Sequence, residues 1–451
     1  MKLEKFHIEL DNSENAYFAG QEVSGKIIID APEPKKINEI LLELKGRCRT
    51  AWTKHSGKSR KHCNNRLPAL FDCYLKLVNY TLIIDQNKLM RLHCSEPYFL
   101  EQLNTLYTHK FIQEDGKDRI LPCGHHEIPF SYTLPKSLPS SFEGDHGFVR
   151  YTCRAIAERP WDFDIVSRTA FTVVGIEDIN SDPTLCEPTS ASESNQTVAA
   201  LCWKASGSVQ AELSVAKSGY TPGEMIEAVA KVQNNSSKAR KVCLKLTQHA
   251  VYKAKTFAGH EQSKVTKKQI MRKELGETAA HAHLDAAVER MQIPSLPPRL
   301  GRCKSIHISY TIDLEVESTV TTSIPITLGT IPLLADLLTH SKQSVVKNGS
   351  NVGPLHKISM PGEDTVVQVT ITDEDGLTHT EDDSISNELD AFLSARKRVR
   401  MPSSILSELY PTMPSPYYRE SFFGKVDISD EKESIQFGDN DFAPKYPFYT
   451  D

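Results

Sequence analysis

The side chains best placed for recognition chemistry lie near the C-terminus, where prolines alternate with tyrosines. One cluster runs Leu409-Tyr-Pro-Thr-Met-Pro414-Ser-Pro416-Tyr417-Tyr418, the other Phe442-Ala-Pro444-Lys-Tyr446-Pro447-Phe-Tyr449. Read as x-Pro-x-Tyr they give Pro416 with Tyr418, Pro444 with Tyr446, and Pro447 with Tyr449. In the register ending at Tyr417, Pro414-Ser-Pro-Tyr keeps the first proline of a doublet and replaces the second by serine. Such a segment suits docking as a polyproline-II turn in an aromatic-lined groove, with the tyrosine ring in a second pocket. The simpler alternative is that Tyr410, Tyr417, Tyr446 and Tyr449 pack back on a folded domain. A second grouping is basic: Arg47, Arg49, Lys54, Lys58, Arg60 and Lys61. It could meet an anionic partner or an anionic membrane surface, or remain a solvated loop. The third grouping is of thiols and imidazoles. His125-His126 and His281-Ala-His283 lack cysteine or carboxylate partners at metal spacing, so no metal and no cofactor is expected. Cys243 and Cys303 lie in strand contexts and read as small core residues rather than nucleophiles. No phosphate-binding glycine loop, nucleophile elbow or catalytic carboxylate pair occurs, so neither catalysis nor a nucleic-acid partner is expected.

The elements that would position these groups are strands. Tyr17-Phe-Ala-Gly20-Gln-Glu-Val23-Ser-Gly25-Lys-Ile27 has a counterpart in Tyr220-Thr-Pro-Gly223-Glu-Met-Ile226-Glu-Ala-Val229. Each is a Tyr-x-x-Gly turn feeding β-branched residues. A second pair of phrases follows in the same order. Pro129, Pro135 and Pro139 precede a strand at 148–157, as Pro294, Pro297 and Pro298 precede one at 305–316. Two matched phrases in one order predict a β-domain built twice, with a period too long for a solenoid. The alternation of Ile306, Ile308, Tyr310, Ile312, Leu314 and Val316 predicts one face on a core and one toward water. The chain of 451 residues is 39% hydrophobic and 25% charged, with a net charge of −5, which suits ordinary cores. Its N-terminus alternates as a strand rather than reading as a signal peptide, and its ten cysteines lack C-x-x-C spacing. A cytoplasmic protein with reduced thiols is expected.

Domain bounds follow: a first β-domain over 1–177, a linker over 178–205, a second β-domain over 206–338, and a tail over 339–451. From residue 340 onward the tail carries 11 Lys/Arg and 19 Asp/Glu, a net of −8, and its apolar alternation fades. It is expected to be largely disordered with short recognition segments.

These phrases resemble the arrestin superfamily, and among it the arrestin-domain-containing proteins called α-arrestins. The resemblance runs through Tyr17-x-x-Gly20-Gln-x-Val-x-Gly25, His126-Glu-Ile-Pro129-Phe130 and Leu138-Pro139-Ser140-Ser-Phe142-Glu-Gly144. It is densest at Gly147-Phe-Val-Arg150-Tyr151, and returns at Gly219-Tyr-x-Pro-Gly223-Glu and Ile324-Pro-Ile-x-Leu-Gly-Thr330-Ile-Pro332. It implies an all-β fold of two tandem immunoglobulin-like sandwiches without a catalytic centre. It further implies a cytosolic adaptor, recruited to plasma membrane and endosomes, that binds membrane receptors or transporters as cargo. Its tail would recruit the WW domains of HECT-type ubiquitin ligases through the Pro/Tyr motifs. The rival readings are a retromer-type trafficking scaffold and, as one branch of the family implies, a regulator that binds a thiol protein through a cysteine such as Cys243. Two departures stand out: the tail lacks a clean Pro-Pro-x-Tyr, and residues 64–94 have no counterpart in the family pattern.

Overall fold

The computed structural model describes residues 3–55, 89–104, 112–115, 118–198, 205–317, 319–333, 371–372, 378–379, 416–429 and 437–449. Strands arise where the sequence alternates. In β1 (Lys5–Leu10), Phe6, Ile8 and Leu10 fall on one buried side. The short β2 (Ala16–Phe18) leads into β3 (Glu22–Ala31), which returns antiparallel beside β1. After β4 (Lys35–Lys36), the long β5 (Glu39–His55) pairs antiparallel with β6 (Leu89–Asn104), from Leu41↔Asn104 to His55↔Leu89. β7 (Gln113–Asp115) and β8 (Asp118–Leu121) join β4 in a small ribbon, and β9 (Gly124–Thr133) pairs with β3. β10 (Phe142–Gly144), β11 (Gly147–Glu158) and β12 (Ile165–Val174) complete the first domain. One sheet runs β1-β3-β9 and the other β6-β5-β11-β12-β2. Phe6, Ile27, Ile29, Leu42, Leu44, Tyr151 and Phe171 fill the core.

The expected linker departs from a free connection. Asp178 and Asp182 cap two 3-10 turns, Ile179–Ser181 and Pro183–Cys186, by accepting from Asn180 N and Thr184 N. The chain then forms β13 (Thr189–Val198), an edge strand on β14 (Ala205–Val215). Ladder hydrogen bonds are made by backbone, so a Ser-rich segment suffices at an edge that faces water. β15 (Gly219–Tyr220), β16 (Met225–Asn234), β17 (Arg240–Lys255), β18 (Glu261–Thr278), β19 (Ala282–Gln292), β20 (Ile306–Val316) and β21 (Val320–Leu328) follow. They build a β13-β14-β16-β19 sheet and a second sheet, β15-β21-β20-β17, with β18 on β17. All six alternating residues of β20 are buried, as their spacing requires. A bridge between Lys255 and His93 joins β17 to β6, so one sheet continues through both domains.

The duplication read from sequence has a structural counterpart. β2 pairs in parallel with β12 through Tyr17↔Val173, and β15 with β21 through Tyr220↔Leu328. Gly20 (φ 90°) and Gly223 (φ 97°) turn the chain after each tyrosine, in the left-handed region that disfavours a Cβ. Tyr151 donates its hydroxyl proton to Pro139 O at 2.7 Å, and Tyr310 donates to Pro297 O at 2.7 Å. The proline phrases thus anchor the same central tyrosine twice.

Residues 56–88 of the anomalous segment lie outside the described residues, but its end does not. Leu89–Cys94 belong to β6, pair with His55–Thr50, and bury Leu92. Within 335–403 the described part is a ribbon of β22 (Ile371–Thr372) and β23 (Thr378–His379).

Near the C-terminus, short strands stand within the tail that was expected to be largely disordered with short recognition segments. β24 (Tyr417–Glu420), β25 (Val426–Asp427), β26 (Phe437–Gly438), β27 (Asp441–Phe442) and β28 (Lys445–Phe448) belong to the same compact unit as the two sandwiches. β24 pairs with β28, β25 with β27, and β26 adds in parallel to β12. The acidic composition of the tail as a whole hid a terminal stretch rich in Phe, Tyr and Pro, which has apolar area to bury.

Candidate functional site

The Pro/Tyr clusters meet in one place. Pairing of Tyr418 with Pro447 and of Arg419 with Tyr446 brings the two x-Pro-x-Tyr segments side by side, although they are remote in sequence. Pro444, Tyr446 and Pro447 are buried, whereas Pro416, Tyr417, Tyr418 and Tyr449 are half-buried. Pro414 lies outside the described residues, as does Tyr410. Tyr446 donates to Ser141 O at 3.1 Å, and burial pushes its phenol well above the usual range. Burial raises Tyr418 likewise, its ring set edge-on to Phe18 at 6.4 Å. Tyr449 donates to Thr330 O at 2.5 Å, at the crossing between the domains. Arg419 stacks over Phe448, 3.9 Å from the ring centroid.

The receiving surface was not legible in the sequence. Thr172 Oγ1 accepts from Lys445 N at 3.1 Å, and Glu14 pairs with Lys445 Nζ at 2.9 Å. Ser295 donates to Arg419 O at 2.9 Å, and its own carbonyl accepts from Phe422 N at 2.7 Å. Further along, Arg168 reaches Ile428 O at 2.7 Å and Asn440 Oδ1 at 3.3 Å, while Phe437 packs edge-on against Phe6. The tail therefore spans β1, β2 and β12 of the first domain and the β19–β20 connection of the second. Serine, threonine and a lone arginine carry no motif, so only the fold brings them together.

The basic grouping divides. Arg47 is half-buried on β5 with its guanidinium 5.8 Å from the Phe148 ring, Arg49 is exposed, and Lys54 donates to Gln262 Oε1 at 3.1 Å. Lys58, Arg60 and Lys61 lie outside the described residues. Cys243 sits at a bulge in β17 with 3% exposure, and burial raises its thiol, which is unlike a reactive cysteine.

One cluster was missed altogether. Cys48 on β5, Glu96 on β6 and Cys303 in the β19–β20 connection present ligand atoms all within 4.8 Å of one another. The residues are far apart in the chain and share no spacing signal. Glu96 Oε2 also accepts from Lys304 N at 3.1 Å and Ser305 Oγ at 3.2 Å, binding the first domain to the second.

Two antiparallel sandwiches of matched topology, each with its parallel Tyr-Gly strand, define an arrestin-type protein. Residues 6–180 match the family described as Arrestin (or S-antigen), N-terminal domain, and residues 205–333 match its C-terminal domain. The chain is 57% identical over 458 aligned positions to Arrestin domain-containing protein 17 of Caenorhabditis elegans, covering 100% of both. It is 26% identical to Arrestin domain-containing protein 4 of Mus musculus, over 71% of this chain and 70% of the relative. It is 28% identical to Arrestin domain-containing protein 1 of Homo sapiens, over 47% and 48%. The chain belongs to the arrestin-domain-containing family, whose members are arrestin-type trafficking adaptors. No helix among the described residues is long and apolar enough to cross a membrane.

Proposed function

We propose that this protein is an adaptor that binds membrane receptors or transporters on its sandwich surfaces and recruits HECT-type ubiquitin ligases through its tail, promoting ubiquitination and endocytosis of the cargo. Its mechanism is proximity: the adaptor raises ligase concentration near cargo lysines and performs no chemistry itself. Such a protein works at plasma membrane and endosomes from the cytoplasm. The observation that carries the reading is the doubled x-Pro-x-Tyr, two segments on one chain that suit docking as polyproline II once released from their strand pairing. Because Tyr446 and Pro447 are buried against the first domain, ligase binding requires β24 and β28 to leave their seat. An isolated multi-WW array should capture the full chain, and the triple change Pro416→Ala, Pro444→Ala, Pro447→Ala should lose that capture. Equal capture of both proteins would refute ligase recruitment through these motifs. The buried seat of Tyr446 also favours a second reading, a trafficking scaffold whose tail is a structural strap; that reading gives no capture of either protein.

A further inference from the structure

We propose that Cys48, Glu96 and Cys303 bind a zinc ion that clasps the two sandwich domains together. Among the described residues this is the one place where three Cys, His, Asp or Glu side chains converge at ligating distance. The donor set suits the metal: two thiolates and a carboxylate are ligands of zinc, which favours four-coordinate tetrahedral sites. Both cysteines are buried, Cys48 at 0% and Cys303 at 2% exposure. Glu96 is half-buried beside them and forms no ion pair with a lysine or arginine among the described residues. The Cys303 thiol donates to Glu96 Oε2 at 4.0 Å, so an ion bound there would take the place of the thiol proton between these two ligands.

The surroundings look like the outer shell of a metal site. Lys304 N and Ser305 Oγ hold the Glu96 carboxylate from behind, at 3.1 Å and 3.2 Å, as second-layer donors do for ligating carboxylates. The Tyr98 hydroxyl is buried and completes no hydrogen bond of ordinary geometry, yet it faces the Cys303 sulfur. It or a water could take the fourth position. Binding displaces the two thiol protons to solvent and joins β5 and β6 of the first domain to the segment that enters β20 of the second. The sequence could not reveal this set, because Glu96 and Cys303 are 207 residues apart.

The test uses the full chain purified under reducing conditions and dialysed against a weak chelator. Elemental analysis should find about one zinc per chain, as for a single structural site. Cobalt substitution should give a thiolate-to-metal charge-transfer band in the near ultraviolet. Cys48→Ser with Cys303→Ser should lose at least four-fifths of the metal, and Glu96→Gln should loosen it about ten-fold or more. Cys243→Ser should retain it. A strong chelator should lower the melting temperature of the wild type and leave that of the double variant unmoved, a comparison that still reads out if the variant is less stable. Zinc retained by the double variant, no zinc in the wild type, or a mass two hydrogens light from a Cys48–Cys303 disulfide would each overturn the proposal.

Discussion

At the scale of single residues, Tyr151 and Tyr310 are equivalent in place but not in surroundings. Each donates to a proline carbonyl, yet the Tyr310 hydroxyl also accepts from Gln248 Nε2 at 2.9 Å. Replacing either by phenylalanine keeps the ring and leaves a buried carbonyl unpaired, at a cost of about 1–3 kcal/mol. Tyr310→Phe should cost more than Tyr151→Phe, because it also strands the amide of the buried Gln248, and denaturant midpoints of the two variants would show the order. His125 offers a different residue-level test. Its Nδ1 lies 2.5 Å from Asp30 Oδ1 and its Nε2 3.3 Å from Glu127 Oε1, and these carboxylates, Asp30 first, raise the imidazole above its ordinary value. A raised folded value means the protonated ring favours the folded state. That contribution is complete below the unfolded value of about 6.5 and disappears as pH climbs through the folded one. Proton NMR should place the His125 midpoint above that of a free histidine, and Asp30→Asn should bring it down. A midpoint unmoved by Asp30→Asn would show that the pair does not form in solution.

At the scale of elements, what was legible in the sequence is what period-2 alternation writes. β20 alternates over six apolar positions, and every one is buried. The paired Tyr-Gly phrases foretold two equivalent domains, because a glycine at positive φ after a strand-edge tyrosine is a local demand of the backbone. Elements held by partners distant in the chain were not legible. β13 reads as a linker since its ladder needs only backbone groups, and β26 depends on an unoccupied edge of β12 that local sequence cannot announce. The anomalous segment shows the same limit. Residues 64–94 have no counterpart in the family pattern, yet Leu89–Cys94 pair with β5 and His93 meets β17. Removing 64–88 should therefore leave thermal unfolding nearly unchanged, since closure entropy depends weakly on loop length. Removing 64–94 should cost roughly 2 kcal/mol or more, through the loss of buried Leu92 and several ladder bonds. Calorimetry on both deletions separates these outcomes, and equal melting temperatures would show that the end of the segment is not part of the sheet.

At the scale of the whole molecule, the tail seat sets two demands against each other. The same rings that would fill WW pockets, Tyr418 and Tyr446, are held by Phe18 and Ser141. A ligand whose binding-competent state is a minor fraction binds with its affinity reduced by that fraction. Weakening the seat without touching a proline or tyrosine should therefore strengthen ligase binding. Ile428 and Phe437 are the residues to change. Ile428 is 1% exposed with its carbonyl on Arg168, and Phe437 packs on Phe6, so both hold the tail while lying outside either motif. Ile428→Asp with Phe437→Asp should place charge where the seat is apolar and raise affinity for a two-WW protein about ten-fold or more. In that released background, Tyr418→Ala or Tyr446→Ala alone should only weaken binding, because the remaining motif rebinds at high effective concentration. The two together should abolish it, by more than the sum of the single losses. Titration calorimetry on the five proteins, native included, measures every step. A released tail that binds no better than the native one would mean that the seat and the ligase do not compete, and the tail would then be a structural strap rather than a regulated recruiting arm.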